Sequence, residues 1–182
     1  MEENIDHIPQ SFYDKDIEVN NKEKEIRRLL LEHLAINPGH DISDCLVLMS
    51  LVKDAERIGD YSRNIFEAGI LYRGTIKDIR FYYRLFPTQK KIADNFPMLR
   101  KAFKNSDGKL AHEILKNYGV IKRDCDKTLN ELFKQDVSTN EAVVTAILSR
   151  YFKRINSHVN NIASGLVYPL SKIDFVSGDI LE

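Results

Sequence analysis

Tryptophan is absent from this 182-residue chain, and glycine (8), proline (5) and cysteine (2) are all scarce. Few breakers leave room for long helices. The two cysteines, Cys45 and Cys125, form no CxxC pair, which excludes a disulfide framework and a thiolate metal site. They are expected to be free thiols in a reducing compartment, with Cys45, inside the apolar run DCLVLMSLV, in the core. Net charge is lacking too. The 27 Lys+Arg balance the 27 Asp+Glu, which disfavours a general nucleic-acid binder. A long apolar run is also missing, since CLVLMSLV falls far short of the ~20 residues that span a bilayer. The N-terminus, MEENIDHIPQ, is acidic and polar, unlike a secretory signal. The expected location is the cytoplasm.

What is present is helical in pattern. With 43% hydrophobic and 30% charged residues, the composition is that of a soluble globular chain. A first helix is expected to start after Pro9 and to end at NPGHD (37–41). A second, capped by Asp41 or Ser43, should run to about Tyr72 on a core stripe of Leu51, Ile58, Ile65 and Tyr72. IKDIRFYYRLF (76–86) suggests a short helix stopped by Pro87, followed by a helical region that Pro97 starts or kinks. NSDG (105–108) is a turn, and a long helix follows it. Ser138 or Thr139 should cap the last helix, with Glu141 set for a capping box and an end near Pro169. SKIDFVSGDILE is a tail. With no period-two pattern, the expected fold class is all-α.

Two segments share a frame. DAERIGDYSRNI and YFKRINSHVNNI align at an offset of 97 through Arg57/Arg154, Ile58/Ile155, Asn64/Asn161 and Ile65/Ile162. DIEVN (Asp16, Asn20) and DKTLN (Asp126, Asn130) align at 110, which implies a longer connection in the first copy. In the first copy Glu56, Asp60 and Asn64 form a polar stripe opposite Ile58 and Ile65, expected to face away from the core. The bland interpretation is a solvated face with local ion pairs to Lys53, Arg57 or Arg63, each contributing about 0.2–0.5 kcal/mol. The functional one is a cation site. Glu56 and Asp60 present hard oxygen ligands from adjacent turns, and Asp16 with Asn20 can cross them, a set suited to Mg²⁺, Mn²⁺, Fe or Ca²⁺. The absence of Glu-x-x-His disfavours a ferritin-like oxidase. The histidines (7, 33, 40, 112, 158) are scattered, and no nucleophilic constellation or Gly-rich phosphate loop stands out.

DAERIGDYSRNIFEAG resembles the signature helix of the PhoU family of phosphate-uptake regulators, and RYFKRINSHVNNI resembles its second occurrence. The resemblance implies an antiparallel helical bundle of two repeated three-helix units. The first unit (10–73) would lack its opening helix, a connector would occupy 74–95, the second unit 96–170 and a tail 171–182. It implies a non-enzymatic regulator of phosphate uptake and starvation signalling, peripheral to the membrane through a phosphate transporter or sensor kinase. It also implies a metal site of Asp16, Asn20, Glu56 and Asp60 holding iron, zinc or magnesium/manganese. The alternative is a metal-dependent hydrolase or metal-storage domain, and a third reading is a plain helical scaffold.

Two departures from the family pattern shape these expectations. Lys153 and Ser157 stand where the second copy needs acids, and an ammonium repels a cation. The second site is therefore expected to be metal-free, with Asp126 and Asn130 as remnants. Arg150, Lys153, Arg154 and His158 would form a basic face suited to phosphate or an acidic partner. The missing helix leaves an apolar groove to be covered by IKDIRFYYRLF or by a second subunit, hence an expected homodimer.

Overall fold

The computed structural model describes residues 9–72 and 74–173, and the tail beyond Ile173 lies outside them. Five helices run in order: α1 (Gln10–Ile36), α2 (Ile42–Leu71), α3 (Tyr82–Asn105), α4 (Gly108–Leu132) and α5 (Thr139–Ser164). Short 3-10 turns occupy Ile76–Asp78 and Leu170–Lys172. The fold is an all-α helical bundle without strands among the described residues.

The core lies where apolar helical stripes converge from three sides. α3, α4 and α5 pack on one another, α2 lies along another side of α5, and α1 packs on α2. Ile92 and Leu99 from α3, Ile114, Leu115 and Ile121 from α4, and Leu148, Ile155 and Val159 from α5 form one buried cluster. α5 buries twelve residues and α1 none, so α5 is the central helix and α1 the outermost; α3–α5 are called the packed unit and α1–α2 the hairpin, whose α2 packs on α5 as closely as α4 does. α1 instead satisfies its surface with short-range ion pairs such as Arg27 Nη2 to Glu23 Oε1 at 2.7 Å. Each such pair stabilises a helix by only about 0.2–0.5 kcal/mol.

Several boundaries follow the sequence pattern. α1 begins directly after Pro9 and α2 ends at Leu71. Ser138 Oγ accepts the Glu141 N–H at 3.2 Å, but Glu141 does not complete the box. Its Oε1 accepts the Arg80 N–H at 2.6 Å, tying α5 to the segment before α3. Asp41 holds the N-cap position of α2 at φ 55°, yet its carboxylate turns back to His33 Nε2 at 3.1 Å. Asp41 thus takes the N-cap position without a side-chain cap bond, and Ser43 lies inside α2.

Three expectations are corrected. First, Pro87 does not stop a helix, because both Pro87 and Pro97 lie inside α3. Each removes an N–H that would reach the carbonyl four residues back, at a cost of about 3 kcal/mol. Burial of Leu85, Ile92 and Leu99 along the same helix outweighs it. Residues 95 and 96, where a boundary was expected, both lie within α3. Second, the connections are nearly equal, residues 37–41 in the first hairpin and 133–138 in the second. The longer first connection does not exist. Asp16 stands 20 residues before the end of α1, and Asp126 six before the end of α4. DIEVN and DKTLN are not structural counterparts. Third, α5 ends at Ser164. A Cβ on Gly165 would sit 2.7 Å from Leu51 Cδ1, so a larger residue there would push the Leu51 side chain aside.

Candidate functional site

The acidic motif sits on the α1–α2 hairpin, along the seam where α1 meets α2. Glu56 and Asp60 are partly buried, their side chains 17% and 22% exposed. The stripe expected to point into solvent thus lies against a neighbour, because α1 packs on the face of α2 away from α5. Gly59 faces Val19 of α1, where an added Cβ would make an ordinary contact at 3.8 Å.

Two arginines knit the acids together. Arg63 Nη1 donates to Asp16 Oδ2 at 2.7 Å and its Nη2 lies 3.7 Å from Asp60 Oδ1. Arg57 Nη1 donates to Asp60 Oδ2 at 3.1 Å, and Arg57 Nε lies 3.5 Å from Glu56 Oε2. The expected set is therefore partly assembled, with Asp16, Glu56 and Asp60 in one network bridged by guanidiniums. Among the described residues, neither Asn20 nor Asn64 has a hydrogen bond into that network. Burial raises the Glu56 pKa above its ordinary value, and the Asp60 charge adds to it against a smaller opposing pull from Arg57. Glu23, across from α1, pushes the same way.

For a cation the donor chemistry is right but the lone pairs are taken. Among the described residues no group of three or more His, Cys, Asp and Glu comes together to hold a metal ion. A cation bridging Asp16 to Asp60 must displace Arg63, whose guanidinium fills that space.

At Lys153, the ammonium bonds Asp126 Oδ1. Asp126 is thus engaged in an ion pair rather than left as a remnant. The basic face is also revised, because His158 leaves it. His158 Nδ1 lies 2.6 Å from Asp54 Oδ1 across the α2–α5 seam, and Asn161 Nδ2 donates to the same oxygen at 3.1 Å. Tyr61 stacks on His158 and on Tyr151, with centroids 5.6 and 5.5 Å away. This cluster was missed, although the spacing carried a signal. Asp54 falls between Leu51 and Ile58 on the core stripe, and His158 between Ile155 and Ile162. A charged residue at such a position needs a partner. Asp54 is 7% exposed, and its pairing joins hairpin to packed unit.

The fold and the motif define a class: a helical-bundle protein with an ERIGD-type acidic helix. The PhoU domain family model matches residues 2–69, spanning α1 and nearly all of α2. Over these residues the chain is similar to the PhoU domain, which belongs to a family of phosphate-transport regulators that is generally non-enzymatic. No curated protein and no solved structure matches the chain. No helix among the described residues is long and apolar enough to cross a membrane.

Proposed function

We propose that this protein regulates phosphate uptake from the cytoplasm as a non-enzymatic adaptor, docking through the α1–α2 hairpin onto a phosphate-transporter component or a sensor kinase. The observation that carries this is the coincidence of the family match at residues 2–69 with the Asp16–Arg63–Asp60–Arg57–Glu56 network. Fixed charges of both signs on a rigid helix pair favour orientation and selectivity over raw affinity. The test is capture of the transporter's cytosolic component or the kinase by the full chain, in phosphate-rich and phosphate-poor conditions, beside Arg63→Glu and Asp60→Lys. Capture lost in both variants supports the hairpin as the docking face. No capture of either partner in any condition overturns the reading.

A cation at Glu56 and Asp60 is a second element of this proposal. The crowding that raises the Glu56 pKa is what a hard cation relieves, and binding requires Arg57 and Arg63 to swing outward. Metal analysis of protein purified without chelators, beside Glu56→Ala/Asp60→Ala, decides it. Metal present in the wild type and absent from the variant supports the site. Equal content in both removes it without touching the adaptor reading.

A further inference from the structure

The seam between α3 and α4 holds a polar group out of place. The buried stripe of α3 runs through Leu85, Thr88, Ile92, Asn95, Leu99 and Ala102. Thr88 settles its hydroxyl on the Arg84 carbonyl of its own helix. Asn95 has no such remedy, because a carboxamide brings two N–H donors as well as an acceptor. It is 1% exposed. Its Oδ1 accepts from Asn117 Nδ2 of α4 at 3.3 Å, while its own Nδ2 is buried without a hydrogen-bond partner. An unpaired buried donor weakens a fold, and leucine would fill the position without that cost. Such a conflict between core and chemistry is expected where a site is built. Beside it the seam opens into a cavity of about 190 Å³, lined by Asn95 and Asn117. Met98 of α3 with Val120 and Ile121 of α4 give the cavity an apolar wall, and Lys91 and Asp94 bring charge to it.

We propose that this cavity binds a small neutral primary amide. The ligand's carbonyl oxygen accepts from Asn95 Nδ2, and its NH2 donates to Asp94, which has no ion pair or hydrogen bond of its own among the described residues. Lys91 does not compete, since Asp124 Oδ2 holds its Nζ at 2.7 Å across the seam. Two aspartates against one lysine leave an excess negative charge, which turns carboxylates and phosphate away. The orphaned N–H equally disfavours a cation. A primary amide carries both a donor and an acceptor, so it complements the Asn95 carboxamide in either orientation. Its short aliphatic stem lies against Met98, Val120 and Ile121. A cavity of about 150 Å³ holds benzene, so this one admits a ligand of about six non-hydrogen atoms. The site is on the packed unit, away from the α1–α2 hairpin, and the inference does not depend on the adaptor reading.

Nitrogen-15 NMR titration of the full chain with butyramide tests it. Saturable shifts are expected in the α3 and α4 amides around Asn95 and Asn117, with a dissociation constant of about 1 mM or below. Butyrate keeps the shape but adds a charge, and it should bind about tenfold or more weakly, as should inorganic phosphate. Asn95→Leu should lose butyramide binding. The absence of saturable shifts in the wild type overturns the inference. So does butyrate binding as tightly as butyramide, or a folded Asn95→Leu that still binds. If Asn95→Leu loses its helical circular dichroism, Val120→Trp decides instead. Val120 is 39% exposed, so the larger ring reaches the cavity from its open side and should abolish binding. A folded Val120→Trp that binds butyramide like wild type is equally fatal.

Discussion

The hairpin and the packed unit are two answers to one pattern of helices. In the packed unit three helices share a core, and α5 serves α2, α3 and α4 at once. In the hairpin two helices share one seam, held by Phe12 stacked on Phe66 at 4.9 Å and by the arginine network. The difference teaches where a motif survives. The hairpin keeps its acids on a partly buried seam, while Lys153 in the packed unit closes on Asp126.

That contrast breaks if the two halves respond alike to truncation. Ile121→Ala, at a site with 0% exposure, should cost about 2–5 kcal/mol. Leu31→Ala, 61% exposed on α1, should stay within about 0.5 kcal/mol. Urea denaturation of both variants measures the gap, and equal losses would remove the distinction.

The joint between the halves comes next. Asp54→Ala leaves His158 and Asn161 without their shared acceptor and should cost about 1–3 kcal/mol. Hydrogen exchange should quicken along α1 and α2 while the amides of α4 keep their protection. Uniform quickening would mean the chain opens as one body.

Glu56→Gln sharpens the comparison within the hairpin. The folded-state pKa of Glu56 lies above its ordinary 4.5, so the protonated form is favoured by folding. Its favourable contribution is complete below 4.5 and is lost as pH rises through the folded-state value. At neutral pH the charged carboxylate weighs against the fold. The variant should therefore melt higher than wild type at pH 7, and the difference should close below pH 4.5. A variant that melts lower at pH 7 would show Arg57 outweighing burial and Asp60.

The smallest effect is chemical rather than energetic. Burial, helped by Asp126 and Asp124, pushes the Cys125 thiol up to about 12. Iodoacetamide at pH 8 should leave Cys125 unmodified in the native protein and alkylate it after denaturation, read by peptide mass. Native modification would mean the packed unit opens readily.

Much of this was legible in the sequence, because helix ends are local chemistry. Pro9, the NPGHD break and Ser138 mark boundaries through backbone rules that need no neighbour. α3 was misread because local rules count what a proline removes and cannot count what burial of Leu85, Ile92 and Leu99 returns. The 110 offset failed similarly, since two short matches cannot fix register when the true connections are equal. In the candidate site, the spacing of Glu56 and Asp60 gave the acids, and the nearby Arg57 and Arg63 were visible. Which arginine would reach Asp16, 47 residues away, depends on how α1 crosses α2. The direction of His158 was hidden for the same reason, as only the α2–α5 packing turns it to Asp54.

The near-equal connections carry a practical consequence. With α2 starting at Ile42 and α5 at Thr139, each position of α5 has a ready counterpart in α2, with no insertion to correct for. A chimera exchanging these segments, or a transplant of single residues such as Lys153 to position 56, would stay in frame. The molecule thereby supplies its own internal reference: two helices of similar pattern on one polypeptide, α2 with Glu56 and α5 with Lys153 at the same register, for the experimenter to swap.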